Sequence, residues 1–369
     1  MIKTMELINF KCFSHAELEL RNLTILSGAN ATGKSSVIQA LILANHTNWQ
    51  GENRGGNWDL VTIDINSIFG FSIGAPNALR SQDPVDEGDF AFAVSLQDEE
   101  GKVEYCYDID MKFPLILRAR GNKIRPIQSF QYVNAERVGP RVSTRAGNGE
   151  GISSDGENAS YLIQVADESS REIAGDLKMG IGESHKFSYF VEQWMCAILG
   201  DVQLDIKTDY NKAITELLIK NKLVDHGVVP TLTGFGISYV LPIVVAGLWA
   251  SGEKNAILIL ENPEAHLHPY AQSNMGKFLA LLAVSGVQVI IETHSEHIID
   301  GARYQMAYLN ASDNMCVNFM EHEGRTINIK TISVNKYGEL SIWPKGFFDQ
   351  KQMDLREIMM LRRKDVCNQ

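Results

Sequence analysis

In the first 27 residues, hydrophobic side chains recur at every second position. Ile8 and Phe10, then Ala16, Leu18 and Leu20, then Leu23 and Ile25 form three such sets. A period of two buries one face of a strand, so three short strands are expected. From about Gly28 to His46 the pattern changes to a turn followed by an apolar helix, and Gly51–Gly56 (GENRGG) reads as a loop. Phe90–Leu96 and Val103–Ile109 alternate again, around the polar turn Asp98–Lys102, which predicts a β-hairpin. Residues 147–160, rich in glycine, serine and asparagine, read as a connection, and 161–225 as mainly helical. The second half is expected to hold an apolar helix over 237–250, a buried strand Ala256–Leu260, a helix over about 269–284 and a strand Val287–Glu292. Strand, helix and strand at that spacing predict a parallel crossover unit, and hence an α/β fold. The tail 325–350 opens on alternating Thr326, Asn328 and Lys330 and closes on the aromatic stretch Trp343–Phe348. No repeat of fixed period and no heptad run appears.

One turn carries chemistry. Gly28-Ala29-Asn30-Ala31-Thr32-Gly33-Lys34-Ser35 matches G-x-x-x-x-G-K-[ST] at every required position, between a strand and an apolar helix. Glycines let successive backbone N–H groups turn inward around phosphates, and the helix N-terminus adds partial positive charge. Lys34 is placed for the terminal phosphates, and the Ser35 hydroxyl is a ligand for Mg²⁺. A glycine-rich strand-to-helix turn that binds nothing is the bland alternative. The Lys-Ser pair and the flanking elements argue against it.

An ATPase built on such a loop needs an acid at a neighbouring strand end. The apolar run Ala256–Leu260 ends in Glu261, followed by Asn262-Pro263-Glu264-Ala265-His266-Leu267-His268-Pro269. About thirty residues on, a second strand ends in Glu292-Thr293-His294-Ser295. A histidine there can touch the γ-phosphate. Two competing readings exist: Glu261 as a plain surface carboxylate, and His266, His268, His294 and His297 with Glu261 and Glu264 as a protein-only metal cluster. The second fits none of the usual zinc spacings. Between the loop and the acid stands Thr233-Gly234-Phe235-Gly236-Ile237-Ser238, a glycine-rich turn opening a helix, which can clamp a phosphate held by a different loop.

Composition narrows the class further. The 369 residues are 44% hydrophobic and 21% charged, which excludes a wholly disordered chain. Lys+Arg number 34 and Asp+Glu 45, and the net charge of −11 argues against nucleic-acid binding by the surface as a whole. Locally the sign reverses: Arg118, Arg120, Lys123, Arg125, Arg137, Arg141 and Arg145 stand within 28 residues, with Glu136 the only acid among them. That stretch is either a solvated face with internal ion pairs or a phosphate-contacting groove for nucleic acid. Gly227–Gly252 holds no charge, but its densest apolar run, Tyr239–Ala250, is twelve residues long. A membrane span needs about 20, so a buried helix is expected. Five scattered cysteines without a C-x-x-C pair, and an N-terminus without a signal-peptide pattern, point to reduced thiols and a cytoplasmic location.

The order of these motifs, with Asn9-Phe10-Lys11-Cys12-Phe13 at the start, resembles the ABC-type P-loop ATPase heads, closest to the SMC, RecF and OLD-type prokaryotic ATPases. Asn134-Ala135-Glu136-Arg137-Val138-Gly139-Pro140-Arg141 and Trp343-Pro344-Lys345-Gly346-Phe347-Phe348-Asp349-Gln350 narrow the likeness to AAA-family ATPases of bacterial antiviral defence, the Septu-type, PtuA-like family. The resemblance implies a single ABC-type head over 1–369 with an antiparallel β subdomain and a helical insertion. Its parts are the N-terminal strands and phosphate loop (1–50), a β-rich region (51–146), the helical insertion (147–225) and the signature, Walker B and switch-histidine half (226–369). ATP would lie between two heads, the phosphate loop of one facing the signature turn of the other. On that pattern Asn30, Ala31, Thr32, Gly33, Lys34, Ser35 and Ser36 hold phosphate, Lys11 is a basic residue near the nucleotide, and Ser35 and Glu261 take Mg²⁺. Ser238 completes the partner's site and His294 is the switch histidine. Gln50 is a candidate for the Q-loop. A homodimer and an HNH-type (PtuB-like) partner nuclease follow as expected partners; a RecF-like repair ATPase and a structural ATP-binding scaffold are the alternatives. The chain departs from the pattern where many relatives carry a catalytic glutamate: it has Asn262. An amide accepts no proton from water, so slow hydrolysis is expected, with Glu264 or His294 as partial substitutes.

Overall fold

The structure, a computed structural model, describes residues 1–53, 61–66, 68, 74–86, 88–109, 116–121, 129–147, 149–178, 186–222 and 224–367. Lys123, Arg125 and residues 54–56 of the expected loop lie outside the described residues.

The N-terminal alternation becomes β1 (Thr4–Phe10), β2 (Phe13–Glu19) and β3 (Leu23–Gly28), and the phosphate-loop turn leads into α1 (Lys34–Asn53). The helix runs past the expected end at His46 and takes in Gly51–Asn53, residues assigned above to a loop. There follow β4 (Val61–Asp64), the predicted hairpin β5 (Phe92–Gln97) and β6 (Lys102–Ile109), then β7 (Ile116–Gly121), β8 (Ser129–Val133) and β9 (Ser143–Arg145). Two helices, α2 (Ala159–Glu168) and α3 (Phe187–Leu199), occupy the first part of the region expected to be helical. Its remainder is not helix: β10 (Gln203–Asp209), β11 (Ile214–Asn221) and β12 (Val224–Val228) form, with β9, a small antiparallel sheet. The reason is legible in retrospect. Leu204 and Ile206 alternate with Asp205 and Lys207, and Leu217 and Ile219 are buried on β11. That is the period of a half-buried strand.

The second half opens on the four expected elements, α4 (Phe235–Ser251), β13 (Ala256–Glu261), α5 (Pro269–Val284) and β14 (Gln288–Glu292); the alternation from Thr326 becomes β16 (Thr326–Ser333), and α6 (Glu296–Tyr308), β15 (Met315–Glu323) and α7 (Gln350–Cys367) are added to the expectation. Strands β13 and β14 pair in parallel across α5. They belong to a six-stranded sheet of order β16-β15-β3-β14-β13-β8, parallel except at the β15–β16 hairpin. A second six-stranded sheet, β2-β1-β5-β6-β7-β4, is antiparallel throughout.

The core is two-sided because the central strands alternate between two apolar layers. Leu258, Leu260, Val289 and Ile291 join Leu23 and Ile25 in a cluster with α2–α6, whereas Ile257, Ile259 and Ile290 join Leu26 in a cluster with α1 and the antiparallel sheet. The central sheet is therefore covered on both faces, as parallel sheets require. Helix α4 is buried from Val240 to Ala250, and no helix among the described residues is long and apolar enough to cross a membrane. What matters for the site is register. Glu261 pairs with Glu292, Glu292 with Leu26, and Val133 with Leu260, so β8, β13, β14 and β3 end together. In open α/β sheets, ligands bind at that carboxyl edge.

Candidate active site

The phosphate loop bends through left-handed backbone at Gly28 (φ 146°), Ala31 (φ 63°) and Gly33 (φ 92°). Two of these must be glycine for steric reasons as well. A Cβ on Gly28 would lie 2.2 Å from the Met320 carbonyl oxygen, and one on Gly33 would lie 2.5 Å from Cζ of Phe13. Thr32 is fully buried and its hydroxyl donates to Ala29 O at 2.8 Å, closing the loop on itself. The Lys34 Nζ donates to Gly28 O (3.2 Å) and Ala29 O (2.8 Å) and stands 3.8 Å from Glu292 Oε1. Burial pulls its pKa down, partly offset by Glu292. The Ser35 hydroxyl donates to Glu292 Oε2 at 2.9 Å. Burial raises the Glu292 pKa, opposed by the Ser35 hydrogen bond and reinforced by Glu261.

This loop forms the floor of a cleft of about 1010 Å³. Asn30, Ala31, Thr32, Gly33, Lys34, Ser35 and Ser36 all line it, and so do Lys11, Glu292 and His294. Lys11 sits at the left-handed β1–β2 turn (φ 50°), hydrogen-bonds Gln39 through its ammonium, and has its pKa lowered by burial. A further wall, Ala78–Asp83, is stitched to β1. Lys11 N donates to Leu79 O at 2.9 Å, and Ser81 N to Asn9 O at 2.8 Å. His294 has its pKa lowered, first by burial and then by Lys34, which keeps the imidazole neutral near pH 7.

The acidic strand end is held by its own set of hydrogen bonds. Glu261 Oε1 accepts from the Tyr132 hydroxyl at 2.8 Å, and burial raises its pKa. Asn262 adopts φ 46°, a conformation asparagine tolerates better than most residues, and its Oδ1 is buried without a hydrogen-bond partner. Both oxygens of Glu264 are engaged: Oε2 accepts from Thr293 Oγ1 and Oε1 from His294 N, each at 2.7 Å. Glu264 thus ties the loop after β13 to Thr293 and the His294 backbone. Neither Glu261, Asn262, Glu264 nor Ser238 lines the phosphate cleft.

Arg137 corrects the basic-groove reading. It is 3% exposed and donates to Asn134 O (3.1 Å), Glu261 O (2.8 Å) and Asn262 O (2.5 Å), with its guanidinium 5.3 Å from the Tyr239 ring centre. Burial lowers its pKa to about 10. It is a clamp on the acidic strand end, and such a group is unavailable to nucleic acid. Arg118 and Arg120 are exposed on β7, where Arg120 pairs with Asp108 at 3.1 Å, whereas Arg145 ends β9 of the small sheet and Arg141 lies just before that strand. Gln50 is also displaced from its expected role: it lies 3.4 Å from His46 near the far end of α1, and Gln82 is the glutamine on the cleft. The histidines of the metal-cluster reading are dispersed. His266 packs on Phe235 and Tyr239, and His268 accepts from Tyr270 N at the start of α5. Among the described residues, no group of three or more His, Cys, Asp or Glu is arranged to hold a metal ion.

Two residues that sequence reasoning passed over belong to the site. Glu292 ends the strand beside the phosphate-loop strand, and that adjacency was the available signal. Arg325 reaches the cleft through a hairpin whose pairing no local pattern specifies.

A glycine-built phosphate loop at the carboxyl edge of a parallel sheet, with carboxylates at the adjacent strand ends, defines a P-loop NTPase head. The chain belongs to the AAA ATPase domain family, whose model matches residues 1–128 and 153–299. A second family model, a protein of unknown function (DUF3696), matches residues 311–358. The chain is 23% identical over 361 residues to the OLD nuclease of Thermus scotoductus, covering 88% of this chain and 65% of that protein, so it spans less than two thirds of that relative's length. Among solved structures it is similar to an SMC head bound to the C-terminal winged-helix domain of ScpA, at TM-score 0.53 and 12% identity over 91% of this chain and 98% of that one. It is also similar to the Smc head with an extended coiled coil from Pyrococcus furiosus, at TM-score 0.50 and 12% identity over 97% and 99%. The protein is therefore an AAA-family P-loop ATPase domain with an SMC-head-like fold.

Proposed function

We propose that this chain is an ATP-driven switch whose complete site needs two copies. The observation that carries the reading is the separation of its halves: Lys34, Ser35 and His294 line one cleft, while Ser238 lines a different one with Gly139 and Pro242. A phosphate loop and a signature turn that do not meet within a chain can meet between chains. The turn is dressed for contact, since Leu232 and Phe235 beside it are 75% and 53% exposed.

The phosphate end of the cleft fits a nucleoside triphosphate with Mg²⁺. The loop's left-handed residues turn N–H groups inward where a Cβ would block, and Lys34, Ser35 and Glu292 already converge there. Lys34 would neutralise the terminal phosphates, Ser35 would hold Mg²⁺, and Glu261, with Glu292 beside Ser35, would orient its shell. Bound Mg²⁺ would draw charge from the β- and γ-phosphates. His294 would contact the γ-phosphate as a neutral imidazole, in a position set by Glu264. Asn262 supplies no base, and Glu264 is already committed to Thr293 and His294, so hydrolysis is slow and the ATP-bound pair long-lived. A cytoplasmic switch of this kind suits the control of a partner nuclease in antiviral defence, the role implied by the likeness to the Septu-type family. The nuclease named in the OLD relative supports the same association. Affinity purification of the native complex tests it. A co-purifying HNH-type nuclease whose activity changes with ATP supports the reading, and recovery of recombination proteins on DNA would favour the RecF-like alternative.

A further inference from the structure

The β15–β16 hairpin overruns the sheet. Its last pair with the phosphate-loop strand is Met320 with Gly28, and β15 continues three residues further, to Glu323. At about 3.3 Å per residue the tip stands roughly 10 Å beyond the end of β3. Glu323 pairs with Thr326, so the turn is the two residues Gly324 and Arg325, with Gly324 at φ 65° in the first central position as tight hairpins demand. The overhang is not idle surface. His322, Arg325, Thr326 and Ile327 all line the cleft that Gly33–Ser36 floor.

Register decides which face they present. Met320 pairs with Ile329, and both pack with the cluster around α1; two residues on, His322 pairs directly with Ile327 on the same face. The apolar face of the hairpin therefore continues past the core and into the cleft as a platform of Ile327 and the His322 ring. The same cleft is lined by Cys12 of the β1–β2 turn and by Phe13, Ser14 and His15 at the start of β2, with the His15 ring hydrogen-bonded to Glu6 at 3.0 Å. An apolar-and-aromatic surface with an arginine on the same cleft suits the base of a nucleotide, through stacking and cation–π contact.

Resting on the nucleotide-binding reading above, we propose that the β15–β16 tip and the β1–β2 turn clamp the nucleobase, with Ile327 and His322 beneath the ring and Arg325 at its edge. The phosphates are then held by the loop and the base by a hairpin from the far end of the chain. Calorimetry with Mg²⁺ on the full chain tests this with two probes, ATP and inorganic tripolyphosphate, which lacks a base. The double variant His322→Ala/Arg325→Ala is expected to weaken ATP binding about tenfold and leave tripolyphosphate within about twofold, the size of one or two lost stacking or cation–π contacts. Lys34→Ala should weaken both probes. Unchanged ATP affinity in the double variant, or an equal loss for both probes, overturns the clamp while leaving the phosphate site standing. Failure of the wild-type chain to bind either probe, or full affinity of Lys34→Ala for both, overturns the nucleotide reading itself and the clamp with it.

Discussion

At the scale of single residues, the site depends on groups whose backbone is as constrained as their side chains. Arg137 holds the carbonyls of Asn134, Glu261 and Asn262 from a position 3% exposed. Its removal takes a charged donor from all three carbonyls, of which Asn262 O keeps a bond from Ala265 N at 3.1 Å. Arg137→Ala should therefore cost about 2–4 kcal/mol, measured by denaturant unfolding, with Arg137→Lys recovering part of the loss. Asn262 sits at φ 46° with its side-chain oxygen unpartnered. Aspartate shares asparagine's tolerance of that conformation and can accept a proton, so Asn262→Asp should raise steady-state ATP turnover by about tenfold or more. An unchanged rate in a variant that still binds ATP would show that the residue does not face the attacking water. The phosphate loop was legible from sequence because its chemistry is local, eight consecutive residues. The burial of Arg137 was not, because it is set by Glu261 and Asn262, more than 120 residues away in the chain.

Elements carry the next level of constraint, and here the sequence was informative wherever one period dominated. The strands β13 and β14, the helix α5 between them and the hairpin β5–β6 stand where alternation and spacing put them. Residues 203–225, expected to be helical, are strands instead, as the alternation of Leu204 and Ile206 with charged neighbours allows. The overhang of the β15–β16 hairpin was beyond reach, since it follows from pairing between strands whose sequences lie almost 300 residues apart. Tight packing of the β1–β2 turn beneath the loop makes its own prediction. In Gly33→Ala the new methyl would meet Phe13 at 2.5 Å with φ at 92°, so the loop must shift. Because Gly33 lies in an exposed cleft, the fold should survive: an unfolding midpoint near that of the wild type is expected, with ATP affinity reduced at least about a hundredfold, or roughly 2.7 kcal/mol.

The whole molecule is a two-faced object. The central sheet is covered by α1 and the antiparallel sheet on one side and by α2–α6 on the other, and the phosphate cleft and the pocket beside Ser238 open separately. In the proposed switch, ATP joins the two faces across a pair of chains. Sedimentation velocity in Mg-ATP on Lys34→Ala, on Ser238→Arg and on their equimolar mixture tests it most directly. Each variant alone lacks one half of every site, so neither should pair. The mixture restores one intact site, from the Lys34 of one chain and the Ser238 of the other, and should show a new, ATP-dependent dimer. A mixture that sediments as its separate components, or Ser238→Arg pairing unaided, would contradict the account.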